Sequence, residues 1–189
     1  MFSMESMPSR TAVFPGSFNP LTVAHLAIAE QARRDHSLDA VHLVVSVVAL
    51  DKPSPPGPPL SERLAIIERD LEATPWLTVH TTTHQLIADI ARGYDAVIMG
   101  ADKWAQVNDV SYYRSAAERD SLVSNLPEVI VADRSGSSAP DHMRLATNER
   151  FHDVSSTKAR LGDRSMMAPH TSQAWYDESS DDASGDHVN

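Results

Sequence analysis

The chain contains no cysteine. That removes a disulfide framework, a thiolate nucleophile and a cysteine-ligated zinc site from consideration, and it is compatible with a reducing cytoplasm. A basic stripe is missing as well. The 16 Lys and Arg residues face 26 Asp and Glu, a formal net charge of −10. This excludes a general nucleic-acid binder, which must displace counterions from phosphates. Long hydrophobic runs are absent: the longest, residues 41–50, is interrupted by His42 and Ser46. It is far too short to span a bilayer and reads as a buried parallel strand, so no membrane partner is expected. Residues 1–9 are neither basic nor continuously apolar, so no secretory leader is expected.

What is present is ordinary globular material. With 189 residues, 41% of them hydrophobic, the chain has room for one α/β domain with a sizeable core and hardly for two. Half of the acidic excess is local: Asp177, Glu178, Asp181, Asp182 and Asp186 lie in a segment without Lys or Arg. From Thr171 onward the sequence is polar, acidic and poor in large apolar groups, which predicts a disordered tail over 171–189 and a folded domain over 1–170.

Strand and helix patterns alternate. Apolar, β-branched runs predict strands over 11–14, 41–48, 77–80, 96–99 and 128–132, with a last short strand near Phe151. Helical periodicity predicts helices over 24–36, over 60–73 with Ser61 as a cap, and over 83–91, stopped by Gly93. Residues 101–126 read as helix broken near Asn108 and Ser124, and Ser155 opens a final helix through Leu161. The proline-rich segment 51–59 and the Gly/Ser segment 133–141 read as loops. This order implies a Rossmann-like, doubly wound parallel sheet with helices on both faces. Ligands of such sheets sit beyond the carboxyl ends of the strands.

Gly16-Ser17-Phe18-Asn19-Pro20-Leu21-Thr22-Val23-Ala24-His25 falls at that place, directly after the first strand. Asn19 suits an N-cap and Pro20 the first helical position. Thr22 and His25, three apart, then share one helix face. The unpaired N–H groups and positive dipole end of the helix favour an anion, to which a hydroxyl and an imidazole add donors. His80 and His84 are separated by a strand end and a helix start and lack a third ligand, so no protein metal site is expected. Tyr112 and Tyr113, with Trp104, read as core packing.

Gly16–His25 resembles the first signature of the Rossmann-like nucleotidylyltransferase superfamily, the adenylyl- and cytidylyltransferases. Val154-Ser155-Ser156-Thr157-Lys158-Ala159-Arg160 resembles the second, near the other end of the chain. Two signatures in the right order are far more specific than either alone. Met99-Gly100-Ala101-Asp102-Lys103-Trp104 is similar to the segment after the fourth strand of nicotinate or nicotinamide mononucleotide adenylyltransferases. The Pro15–Pro20 form is closest to the pantetheine-phosphate branch, but the Arg-Gly-Leu-Arg segment of that branch is missing.

The resemblance implies an enzyme that moves AMP from ATP to a mononucleotide phosphate in NAD biosynthesis and releases pyrophosphate, with Mg2+ accompanying ATP. It implies catalytic roles for His25, Thr22, Lys52 and Arg160. ATP would meet Phe14, Gly16, Ser17, Phe18, His25, Gly100, Asp102, Ser155, Ser156, Thr157 and Arg160. Thr83, Trp104 and Arg134 would hold the acceptor. A homo-oligomer is compatible with this reading. Three residues depart from the pattern: Ala24 stands where the family usually has Gly, Thr22 where the mononucleotide branch commonly has His, and Ala159 where a larger apolar residue is usual. Another acceptor (pantetheine phosphate, FMN, a sugar or alcohol phosphate) stays open, as does a catalytically weakened nucleotide-binding relative.

Overall fold

The computed structural model describes residues 9–48, 57–132 and 139–181. Six strands form one sheet: β1 (Thr11–Pro15), β2 (Ala40–Ser46), β3 (Leu77–Thr82), β4 (Ala96–Gly100), β5 (Glu128–Ala132) and β6 (Arg144–Leu145). Their order is β3-β2-β1-β4-β5-β6, and every pairing is parallel. The helices are α1 (Val23–Asp35), α2 (Leu60–Leu71), α3 (Ile87–Ile90), α4 (Ala101–Asn108), α5 (Ala116–Ser124), α6 (Ser156–Arg160) and α7 (Pro169–Asp181).

The apolar runs form strands buried on both sides because alternate residues serve two cores. Ala12, Phe14, Leu43, Ile98 and Ile130 face one layer with Ile28, Ala29 and Ala32 of α1 and Ile67 and Leu71 of α2. Val13, Val44, Val97, Met99 and Val131 face the other with Ile90, Ala91, Ala101 and Val107. Val13, Val97 and Ile98 are completely buried, and each such side chain stabilises the fold by about 1.5–3 kcal/mol. The doubly wound expectation holds. Among the described residues no helix is long and apolar enough to cross a membrane.

Several local expectations are corrected. The helix predicted over 83–91 shrinks to the four residues of α3, whose start at Leu86 has no side-chain cap. Thr81 and Thr82 instead extend β3 alongside Val45 and Ser46. The last strand is not at Phe151, which lies in a 3-10 turn capped by Asn148. It is at Arg144–Leu145, where Leu145 is buried and pairs with Ala132.

The tail expected from Thr171 is helix as far as Asp181. Tertiary contacts outweigh its polar composition. The Asp70 carboxylate of α2 accepts from the His170 N–H (2.7 Å), the Thr171 N–H (3.0 Å) and the Thr171 hydroxyl (2.6 Å), so α2 caps α7. Trp175 packs against the segment at Gly57, where φ is +139° and an added Cβ would lie 2.7 Å from the indole Cζ2. Just before α7, the Ala168 N–H donates to the Leu21 carbonyl at 3.0 Å. Helix packed against α2 therefore continues past residue 170.

Candidate active site

β1 and β4 are neighbours in the sheet, with β2 and β3 on one side and β5 and β6 on the other. The chain reverses direction of winding there, which opens a crevice beyond the carboxyl ends of β1 and β4. The turn after β1, the start of α4 and the helix α6 all come to this end.

The turn is built around Phe18. Its backbone takes the left-handed φ of 42°, and its ring is 1% exposed. The ring folds back over Gly16, where an added Cβ would stand 2.8 Å from Phe18 Cζ. The Gly16 N–H donates to the Val44 carbonyl at 3.0 Å, which ties the turn to β2. This geometry overturns the expected helix start. Asn19 is no N-cap: the Asn19–Pro20 peptide is cis, and the helix begins later, with Thr22 as N-cap and His25 as its third residue.

Thr22 and His25 form a reciprocal capping box. The Thr22 N–H donates to His25 Nδ1 at 3.1 Å, and Thr22 Oγ1 lies 2.9 Å from the same nitrogen. A ring nitrogen that accepts from a backbone N–H carries no proton, so the neutral imidazole holds its hydrogen on Nε2. Phe14 and Phe18 meet the ring edge to face, at centroid distances of 6.0 and 5.1 Å. Thr22 itself is 1% exposed. It stands behind the imidazole and sets its tautomer.

The second motif is joined to the first. Ser155 caps α6 by accepting from the Lys158 N–H at 3.1 Å. Ser156 Oγ donates to the Pro20 carbonyl at 2.9 Å, across 136 residues of sequence. The Arg160 guanidinium donates to the Asn19 carbonyl and to Thr157 Oγ1 at 3.2 Å. Two donors on α6 thus grip two consecutive carbonyls of the first turn, and buried Val154 and Ala159 anchor the helix from beneath.

The model of the family described as cytidylyltransferase-like matches residues 13–162. The chain belongs to the cytidylyltransferase-like family. That match runs from β1 through α6 and so spans both motifs. Segments of the chain also resemble two curated relatives, each named a probable nicotinate-nucleotide adenylyltransferase. The one from Salinibacter ruber is 40% identical over 63 residues, 33% of this chain and 32% of the relative. The one from Chromohalobacter salexigens is 33% identical over 79 residues, 42% of this chain and 36% of the relative. The chain thus spans about a third of the length of each curated relative it matches.

The remaining expected site residues fall in different places. Gly100 is the N-cap of α4, and nothing lies within 4 Å of the place a Cβ would take, so the crevice is open above β4. Ser17 is exposed beside it in the β1 turn, and Asp102 is exposed in the first turn of α4, where the dipole favours a carboxylate. Trp104 is half-buried and packs against the second core layer. Thr83 is exposed in the loop after β3. Lys52 and Arg134 lie outside the described residues.

One residue was passed over by the sequence reading. Tyr113 does pack, with its hydroxyl donating to the Val107 carbonyl at 2.8 Å. Tyr112, however, is 44% exposed and lines a groove with Gln85, Leu86 and Lys103. The signal for it was weak: two adjacent tyrosines after a helix end cannot both face a core.

Proposed function

We propose that this nucleotidylyltransferase transfers AMP from ATP to nicotinate or nicotinamide mononucleotide in NAD biosynthesis. The observation that carries the reading is the grip of α6 on the first turn through Ser156 and Arg160. It gathers both phosphate-directed motifs at the switch point of the sheet. The choice of acceptor is supported by the names of the two curated relatives. The Gly100-Ala101-Asp102 segment at the head of α4 and the exposed Tyr112 beside Gln85 support it further.

In the reaction an oxygen of the acceptor's phosphate attacks the α-phosphorus of ATP. A new P–O bond forms, the bond to the bridging α–β oxygen breaks, and pyrophosphate leaves with the negative charge. No protein nucleophile is needed, so the work consists of alignment and charge stabilisation. His25 donates from Nε2–H to a phosphate oxygen, with Thr22 holding Nδ1 from behind. Gly16 and Gly100 let the nucleotide approach the backbone closely, and Arg160, with Lys52 and Arg134, supplies positive charge. Asp102 binds the ribose hydroxyls, and Thr83 and Tyr112 hold the acceptor.

Among the described residues no three His, Asp or Glu side chains gather to hold a metal ion. A magnesium ion accompanying ATP would be carried mainly by phosphate oxygens and water. When bound, the ion neutralises charge on the triphosphate.

The test is pyrophosphate release with ATP and a panel of acceptors. Turnover with nicotinate or nicotinamide mononucleotide alone is expected. Turnover only with pantetheine phosphate, FMN or a sugar phosphate would move the enzyme to another branch. ATP binding without turnover on any acceptor would make it a nucleotide-binding relative.

A further inference from the structure

Away from the nucleotide crevice, the sheet carries a polar patch on a face that doubly wound proteins cover with helix. His42 and Val44 of β2 and His80 and Thr82 of β3 lie on the side of the second core layer, with Val44 and His80 in register. The helix over this region, α3, is a single turn of four residues. Its Ile90, with the following Ala91, is buried in the layer. A cavity of about 310 Å³ opens between α3 and the two outer strands. That volume is at the lower end of small-molecule sites, roughly 300–1,000 Å³.

The lining is divided by chemistry. Buried Val44 and Ile90 form an apolar floor. His80, His84, Arg92 and Thr82 supply donors at the rim. The one carboxylate among the described lining residues, Asp89, pairs with Arg92 at 2.9 Å, and Arg92 is 78% exposed. An exposed pair of this kind is worth only about 0–1 kcal/mol, so the guanidinium can share a second carboxylate at little cost.

Tyr94 closes the wall, its hydroxyl 3.1 Å from His42 Nδ1, and the His42 and His80 rings are 4.6 Å apart. Burial, and then the neighbouring His80, hold His42 below the usual histidine range. Burial holds the Tyr94 hydroxyl above its usual range, so it stays neutral. β1 and β4 contribute Val13, Val97 and Met99 to this layer.

We propose that this cavity is a second ligand site, taking a small carboxylate with an apolar body and separate from the nucleotide crevice. The body lies on Val44 and Ile90, and the carboxylate meets His80, His84 and Arg92. The site adjoins the catalytic region at two places: the carbonyl of Val44 accepts from the Gly16 N–H, and Thr83, assigned above to the acceptor, lies between Thr82 and His84 of the lining.

Calorimetric titration of the full chain with benzoate tests this. A saturable one-to-one isotherm is expected, unchanged by saturating ATP. His80→Gln and Arg92→Gln should each weaken binding roughly tenfold, and Arg92→Gln, on an exposed side chain, leaves pyrophosphate release intact. Benzamide, the uncharged counterpart, should bind at least tenfold more weakly. Four results would each overturn the proposal: no saturable binding of benzoate, equal affinity for benzamide, binding of inorganic phosphate in preference to benzoate, or displacement of benzoate by ATP. The last would assign the heat to the nucleotide crevice and leave the adenylyltransferase reading untouched.

Discussion

Phe18 meets His25 edge to face, with ring centroids 5.1 Å apart and planes 82° from parallel. To do so it holds a left-handed backbone, a conformation that costs a non-glycine residue about 1–3 kcal/mol. Burial of the ring offsets that cost. With Thr22 on Nδ1 and aromatic edges against the ring, the imidazole has one orientation and one tautomer.

Phe18→Leu should therefore lower kcat about tenfold or more with little change in the KM for ATP, because it loosens a donor without removing it. His25→Ala, which removes the donor, should lower kcat by about two to four orders of magnitude. Pyrophosphate release under saturating ATP measures both. Full turnover in Phe18→Leu would show the ring to be packing alone.

The grip of α6 on the first turn can be tested by a double-mutant cycle. Ser156→Ala and Arg160→Ala should each weaken ATP binding roughly tenfold. Because both act on the Asn19–Pro20 carbonyls, their effects should couple by about 0.5 kcal/mol or more. Additive losses in calorimetric affinity would mean that the two contacts do not hold one common structure.

Acid should destabilise the protein through His42. Its folded value is depressed, first by burial and then by His80, whereas the unfolded chain keeps the ordinary value. The unfolded state thus binds the proton more readily as pH falls. The contribution is fully present above the ordinary value near 6.5. It is lost as pH falls through the folded value. Urea midpoints measured from about pH 8 down to about pH 5 should decline less steeply in His42→Gln. An identical decline would place the acid sensitivity elsewhere.

Asp70 holds the last helix. It accepts from two backbone N–H groups and one hydroxyl at the head of α7, so Asp70→Ala should lose about 1–3 kcal/mol of stability. Trp175, seated against Gly57, should report the release by its fluorescence. An unshifted urea midpoint would show that α7 is held by packing alone.

Much of this architecture was legible because strand burial is a local property of sequence. Glu128–Ala132 is β5 as its apolar run predicts, and Gly93, at φ +88°, does end the α3 region. Ser155 caps α6 as its hydroxyl predicts. The candidate site was legible as two motifs but not as one place. The start of α1 was misjudged by three residues because Asn19 and Pro20, suited locally to a helix start, are held instead by α6.

The order of apolar runs, turn glycines and motif residues determined, by itself, a doubly wound parallel sheet and the end of it where the first motif lies. Periodicity and propensity act over a few residues, and a linear reading captures them. Only the tertiary structure decided that Thr22 stands behind His25, that Tyr112 faces outward while Tyr113 packs, and that α7 folds onto Asp70. It also joined Ser156 to Pro20 across 136 positions. Such contacts depend on where distant segments meet in space, and the energies that select among them leave no periodic trace along the chain.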